Sequence, residues 1–217
     1  MPPVVSIVGK SKSARTEVIG RLVHELKSRG YRVATLTHTP QANSFVRAGK
    51  NGWHHIEAGS EATVVSSAHS LVLVKAVCQA TPLEEIVRVL GEDYDIILAE
   101  GFKRADTPKI EAHRKGGGTP MKNIKRIVAT VTDEPLETRA RQFSFDDYER
   151  LADLLERGFI EPQKARISLY VNNASVPLSL FPKQIITNVL LAMASCLKGV
   201  REITSLQVFL RKEHARQ

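Results

Sequence analysis

Residues Val4–Val8, VVSIV, form an apolar run that reads as a central strand covered on both faces. After a short polar loop, Val18, Ile19, Leu22, Val23 and Leu26 recur at helical spacing, and Gly30 is placed to stop that helix. Residues 31–37 are a second β-branched run, so the first forty positions predict a strand–loop–helix–strand unit. Residues 53–58 predict a helical turn or two. Two strands over 62–67 and Leu71–Lys75 are separated by a gap of hairpin length. Pro82 opens a helix with Leu83, Ile86, Val87 and Leu90 on one face. Buried strands are predicted over 95–99, 109–112 and 127–131, with a mobile Gly116-Gly117-Gly118 loop between the last two and a helix over 146–156.

The composition turns polar over 158–164, which predicts a boundary. One domain spans 1–158 and a small module spans 164–213. In the module, a hairpin over 167–178 turns at Asn172-Asn173, followed by a helix over 184–197 and a strand over 205–210. Its predicted topology is ββαβ, suited to packing or dimerisation. The fold class expected is therefore α/β: a three-layer fold with a mostly parallel sheet, carrying a small C-terminal α+β appendage.

No apolar run approaches the length of a transmembrane span, and the N-terminus enters a strand directly, so neither a membrane helix nor a secretory signal is expected. Two distant cysteines, Cys78 and Cys196, argue against a disulfide framework or a cysteine-rich zinc site and favour a cytoplasmic setting. The net charge of +8 does change the picture. Lys103, Arg104, Lys109, Arg114, Lys115, Lys122, Lys125 and Arg126 crowd one stretch, which either attracts an anionic partner or forms a solvated face. Nucleic acid is the least supported partner, because the stretch lacks interleaved aromatics and any recognisable binding module.

The loop after the first strand, Gly9-Lys10-Ser11-Lys12-Ser13-Ala14-Arg15-Thr16, has the spacing of a phosphate-binding P-loop, G-x-x-x-x-G-K-[ST]. Gly9 and Thr16 keep their places, with Thr16 expected at the start of the helix. Ala14 replaces the second glycine, and Arg15 replaces the lysine. Such a loop aims backbone N–H groups and the positive end of a helix at one point, where a phosphate binds. Lys12, Ser13 and Arg15 are placed to assist, and Thr16 to hold Mg²⁺. Anion affinity survives these replacements better than turnover does, since catalysis needs tighter placement.

Ligands of open α/β sheets bind beyond the carboxyl ends of the strands. In DYDIILAEGFK, Asp95 and Glu100 stand about 17 Å apart at strand spacing, so Glu100 is the acid on the ligand edge. It is the candidate catalytic residue and Mg²⁺ ligand, with Gly101 turning the chain beside it and Lys103 within reach of an anion. His38 ends the second strand on the same edge, either capping its loop or facing the ligand. The pair His54-His55 lacks a third ligand at metal spacing.

YRVATLTH, AGKNGWHHIEAGSEATVVSS, DYDIILAEGFKRADTPKIEAHR and RIVATVTDEP follow the loop in order, and this set resembles the molybdopterin-guanine dinucleotide biosynthesis protein B family over residues 3–157. The resemblance implies a P-loop NTPase-like fold that binds GTP with Mg²⁺ and is at most a weak GTPase. It also implies an accessory role in molybdenum cofactor assembly beside the guanylyltransferase or another assembly protein, and a homodimer. By position it assigns Gly9, Ser13, Ala14, Arg15 and Thr16 to the phosphate loop, Glu100 and Gly101 to an acidic EG motif, and His38 to the histidine after the second strand. Lys50, with Gly49, Glu57, Ala58 and Gly59, stays in pattern. Thr37, Pro40, Gln41, Ser44, Val46 and Asn51 depart from it. Because the departures gather on the ligand edge while the strands stay intact, a nucleotide-binding accessory and a catalytically dead scaffold acting through protein contacts are the two functions expected.

Overall fold

The computed structural model describes residues 1–39, 50–163, 167–172 and 174–210. It divides into two compact units, Met1–Lys164 and Ala165–Gln217.

In the first unit, strand β1 (Val4–Val8) is followed by helix α1 (Lys12–Ser28), strand β2 (Val33–Thr37) and helix α2 (Lys50–Glu57). A hairpin of β3 (Ala62–Ser66) and β4 (Leu71–Lys75) comes next, then α3 (Leu83–Leu90) and β5 (Ile96–Glu100). Strands β6 (Lys109–His113), β7 (Ile127–Thr132) and β8 (Arg141–Phe143) precede α4 (Tyr148–Leu155). A single π turn, Glu156–Ile160, extends α4.

Among the described residues, six strands form one parallel sheet in the order β2-β5-β1-β6-β7-β8, while β3 and β4 pair with each other, antiparallel. The chain moves from β1 outward to β2 on one side and later crosses from β5 to β6 on the other. The end of β1 is thus the point where strand order reverses, and the crevice there is where open α/β sheets take ligands. One face of the sheet is covered by α1 and α4, whose Leu22, Leu26, Leu151 and Leu155 pack with Val5, Leu98, Ile110 and Val131. The other face carries α3, whose Leu83 and Val87 pack with Ala34 and Ile97. This three-layer α/β arrangement is the expected fold class. Burial on both faces explains why β1 and β5 read as apolar runs rather than as alternation; β6, KIEAH, alternates although all five residues are buried.

Three details correct the sequence reading. Helix α1 begins at Lys12 and not at Thr16, because the Ser11 hydroxyl caps it by accepting from the Ala14 amide at 3.2 Å. Strand β8 was not foreseen; its Arg-Gln-Phe sequence has no apolar run, and it sits at the sheet edge, where one inward residue, Phe143, suffices. The last strand of the expected ββαβ module is missing. In the second unit, β9 (Leu169–Val171) pairs antiparallel with β10 (Ala174–Val176), and α5 (Leu180–Ser195) follows. Residues 205–210 form no strand, and Phe209 and Leu210 lie exposed without a sheet face to cover them.

Candidate functional site

Three strands deliver the residues of the reversal point. Glu100, the last residue of β5, is buried at 7% exposure. Its backbone carbonyl accepts from the His38 amide at 3.2 Å, and the neighbouring Gly101 amide donates to Ile7 of β1 at 2.9 Å. Gly101 has φ +93°, a left-handed conformation that lets the chain leave the sheet at once. Phe102 follows, its ring tilted against the exposed His38 ring at 5.6 Å between centroids. His38, Glu100 and Gly101 are therefore brought together. Lys103 lies just beyond them, exposed.

Gly9 is buried where β1 leaves the sheet. A β-carbon there would stand 2.2 Å from the carbonyl oxygen of Ala112 in β6, so the glycine is required by close backbone approach, whatever its role toward a ligand. Lys10 reaches toward the 114–126 connection, donating to the Thr119 hydroxyl at 3.4 Å. Lys12 and Ser13 lie exposed on the first turn of α1, and the Ser13 and Ser11 hydroxyls meet at 3.0 Å.

The earlier helix start changes what the remaining loop residues do. With Ser11 as cap, Ala14, Val18, Leu22 and Leu26 fall on one face and all are buried. The methyl of Ala14 therefore packs in the core instead of projecting into the loop mouth, and its amide is spent on the cap. This removes Ala14 from the residues expected to contact phosphate, and it also removes the steric conflict its methyl would pose. Thr16 sits a full turn into the helix, exposed, with its hydroxyl donating to the Lys12 carbonyl at 3.1 Å.

Arg15 occupies the centre of the site. Its Nε donates to Glu100 Oε1 at 3.2 Å and its Nη1 to the Gly9 carbonyl at 2.8 Å. The guanidinium thus ties the end of β1 to the end of β5 under the N-terminus of α1. Its Nη2 and the second oxygen of Glu100 have no partner among the described residues. Lys50 opens α2, and the departures at Pro40, Gln41, Ser44 and Val46 lie outside the described residues.

The basic stretch breaks apart on folding. Lys109 is 1% exposed, with Nζ donating to the carbonyls of Ala105 at 2.6 Å and Thr107 at 2.8 Å, and burial holds its pKa below the ordinary lysine value. Arg114 pairs with Glu17 and with Asp133 (3.4 Å), and its guanidinium stacks 3.5 Å from the Phe145 ring. Arg126 pairs with Asp106 at 3.1 Å. Only Lys103, Arg104, Lys115, Lys122 and Lys125 of the stretch remain exposed without an ion pair among the described residues. Lys109 in particular is a buried structural cation, part of neither the anion-attracting surface nor the solvated face that the sequence leaves open.

A constellation at the ends of β6 and β7 went unread. His113 is buried with Nε2 2.8 Å from Glu134 Oε1, and Glu111 accepts the Met121 amide at 2.6 Å. The Lys115 amide donates to Asp133, and this bond is the main reason that carboxylate titrates below its usual range. The available signal was topological: EAHR and TDEP each end a strand on the ligand edge.

The family described as molybdopterin guanine dinucleotide synthesis protein B, MobB, matches residues 4–133. The chain belongs to the MobB family. The match runs from β1 through β7 and so contains every element that builds the reversal point. Among curated MobB relatives, the molybdopterin-guanine dinucleotide biosynthesis adapter protein of Haemophilus influenzae is 27% identical over 156 residues, covering 71% of this chain and 88% of its own. The Escherichia coli adapter protein is 27% identical over 165 residues, covering 71% and 92%. A solved MobB structure aligns with TM-score 0.56 at 26% identity over 72% of this chain and 99% of its own. That of Bacillus subtilis MobB aligns with TM-score 0.57 at 22% identity, a likeness of fold. Membership gives the chain the P-loop nucleotide-binding fold of MobB proteins and an accessory role in molybdenum cofactor biosynthesis.

Proposed function

We propose that this chain binds a guanine nucleotide at the mouth formed by Gly9, Lys10, Lys12, Ser13 and Arg15, and presents it to the guanylyltransferase or another protein of cofactor assembly. One observation supports this above the rest. The Arg15 guanidinium is held by Glu100 and the Gly9 carbonyl beneath a helix N-terminus, with an N–H group to spare for a phosphate oxygen. Lys10 and Lys12 add positive charge at the same edge. His38 and Lys103 are positioned to meet the distal parts of the ligand, and Lys50 is carried on the element that follows β2. In the proposed role hydrolysis is weak or absent, since Glu100 is already engaged by Arg15. The role fits a cytoplasmic homodimer; among the described residues no helix is long and apolar enough to cross a membrane.

The Mg²⁺ ion expected with GTP does not fit the donors as arranged. Glu100, the intended carboxylate ligand, faces a guanidinium, and the Thr16 hydroxyl points its proton at Lys12. A divalent cation set between them would meet the fixed charge of Arg15 at close range.

Calorimetric titration with GTP, and with ATP for comparison, tests the proposal. Saturable heat with GTP, reduced by about tenfold or more in affinity in Arg15→Ala, is expected, a loss of about 1.4 kcal/mol. Absence of both heat and thermal shift at millimolar GTP contradicts it.

The catalytically dead scaffold is the second reading, and the same contacts favour it. Arg15, Glu100 and Gly9 hold one another in place without a ligand. Under that reading, Arg15→Lys creates nucleotide binding that the parent chain lacks.

A further inference from the structure

We propose that the Arg15 guanidinium takes the place of a divalent cation, so that this site receives its phosphate group without magnesium. The inference deepens the nucleotide reading given above and rests on it.

A phosphate chain beside a glutamate needs a positive charge between them. In a magnesium site the ion supplies it, bound through oxygen ligands that include carboxylate and hydroxyl groups. Here a guanidinium stands within hydrogen-bond reach of the carboxylate, at 3.2 Å, and both side chains are largely shielded, at 18% and 9% exposure. Arginine does not lose its proton in proteins, so this charge is permanent. Water screens it only partly at such exposure, and a second, doubly charged ion at the same carboxylate is repelled.

The geometry of the group matters as much as its charge. A guanidinium is a planar fork, and two of its arms are fixed, one on Glu100 and one on the Gly9 carbonyl at 2.8 Å. Nη2 is left to donate to an oxyanion, the kind of arm that recognises phosphate well. A lysine at this position offers a point charge on a flexible stem and releases the acid to bind metal. The replacement of lysine by arginine thus exchanges a metal-assisted site for a metal-free one. The Thr16 hydroxyl, donating to the Lys12 carbonyl, is consistent with that exchange.

The test compares the dissociation constant for GTP of the full chain in excess magnesium chloride and in excess EDTA. The two values are expected to agree within about twofold, and weakening by about tenfold or more in EDTA overturns the inference while leaving nucleotide binding intact. No binding in either buffer overturns the nucleotide reading and this inference with it. Arg15→Lys supplies the second arm, with its thermal transition measured to verify folding. It is expected to bind about tenfold tighter with magnesium than without, and a variant indifferent to the metal shows that Arg15 is not the substitute.

Discussion

Arg15 of α1 and Glu100 of β5 form an ion pair at 3.2 Å, joining two segments that are 85 residues apart in sequence. The pair spans the crevice at the end of β1, where the parallel sheet reverses its strand order. It neutralises Glu100, a buried acid of that edge, while Lys10 and Lys12 add positive charge there. The site can therefore attract an anion while disfavouring a second cation at Glu100.

Gly9→Ala is expected to destabilise the chain severely. The new methyl would stand 2.2 Å from the Ala112 carbonyl oxygen, and both contact partners are backbone. Overpacking of this kind costs about 1–3 kcal/mol, with strain at φ +153° added. Urea denaturation measures it as a lowered midpoint. An unchanged midpoint shows that β1 and β6 separate freely here.

Lys109→Ala removes a buried ammonium that serves two carbonyls, those of Ala105 and Thr107. Leaving those acceptors without a donor costs about 1–3 kcal/mol, and the lost packing of the side chain adds to it. The same variant should leave GTP affinity within about twofold of the parent, because Lys109 stands at the start of β6 and the site lies beyond the strand ends. A large loss of affinity with little change in stability returns Lys109 to the anion-binding surface.

Tyr31 gives a pH signature. Its hydroxyl donates to Glu156, which also accepts from Arg29, and these bonds hold the Glu156 carboxyl below its usual range. Its contribution to stability is complete above the ordinary glutamate pKa and is lost as pH falls through the depressed value. The same bond, with burial, pushes Tyr31 up to about 12 from 10.0. Stability from the neutral phenol is present below pH 10 and fades as pH rises toward about 12. Tyr31→Phe should therefore lower the Tm at neutral pH and converge with the parent at both extremes. Parallel Tm curves across the range contradict the assignment.

The fold was legible in the sequence because strands buried on both faces write themselves as apolar runs. VVSIV, IILAE and IVATVT needed no tertiary information. Strand β8 was illegible because an edge strand of three residues needs only Phe143 turned inward. At the site, strand direction alone separated Glu100 from Asp95, and only Glu100 reached the ligand edge. What spacing did not reveal was the cap. The motif counts residues from Gly9, whereas the helix is set by where Ser11 finds an amide to accept, and that shift turned Ala14 toward the core. Pairing was equally hidden: Arg114, Arg126 and Lys109 look like free cations until the chain brings Glu17, Asp106 and two carbonyls to them.

The nitrogen-15 resonance of the Arg15 side-chain Nε–H group tests the central claim most directly. Addition of GTP to the labelled chain should shift that resonance and the backbone amides of Lys12 and Ser13 along one saturable curve. Those signals staying fixed at saturating GTP, with changes confined to residues away from the end of β1, would contradict the account.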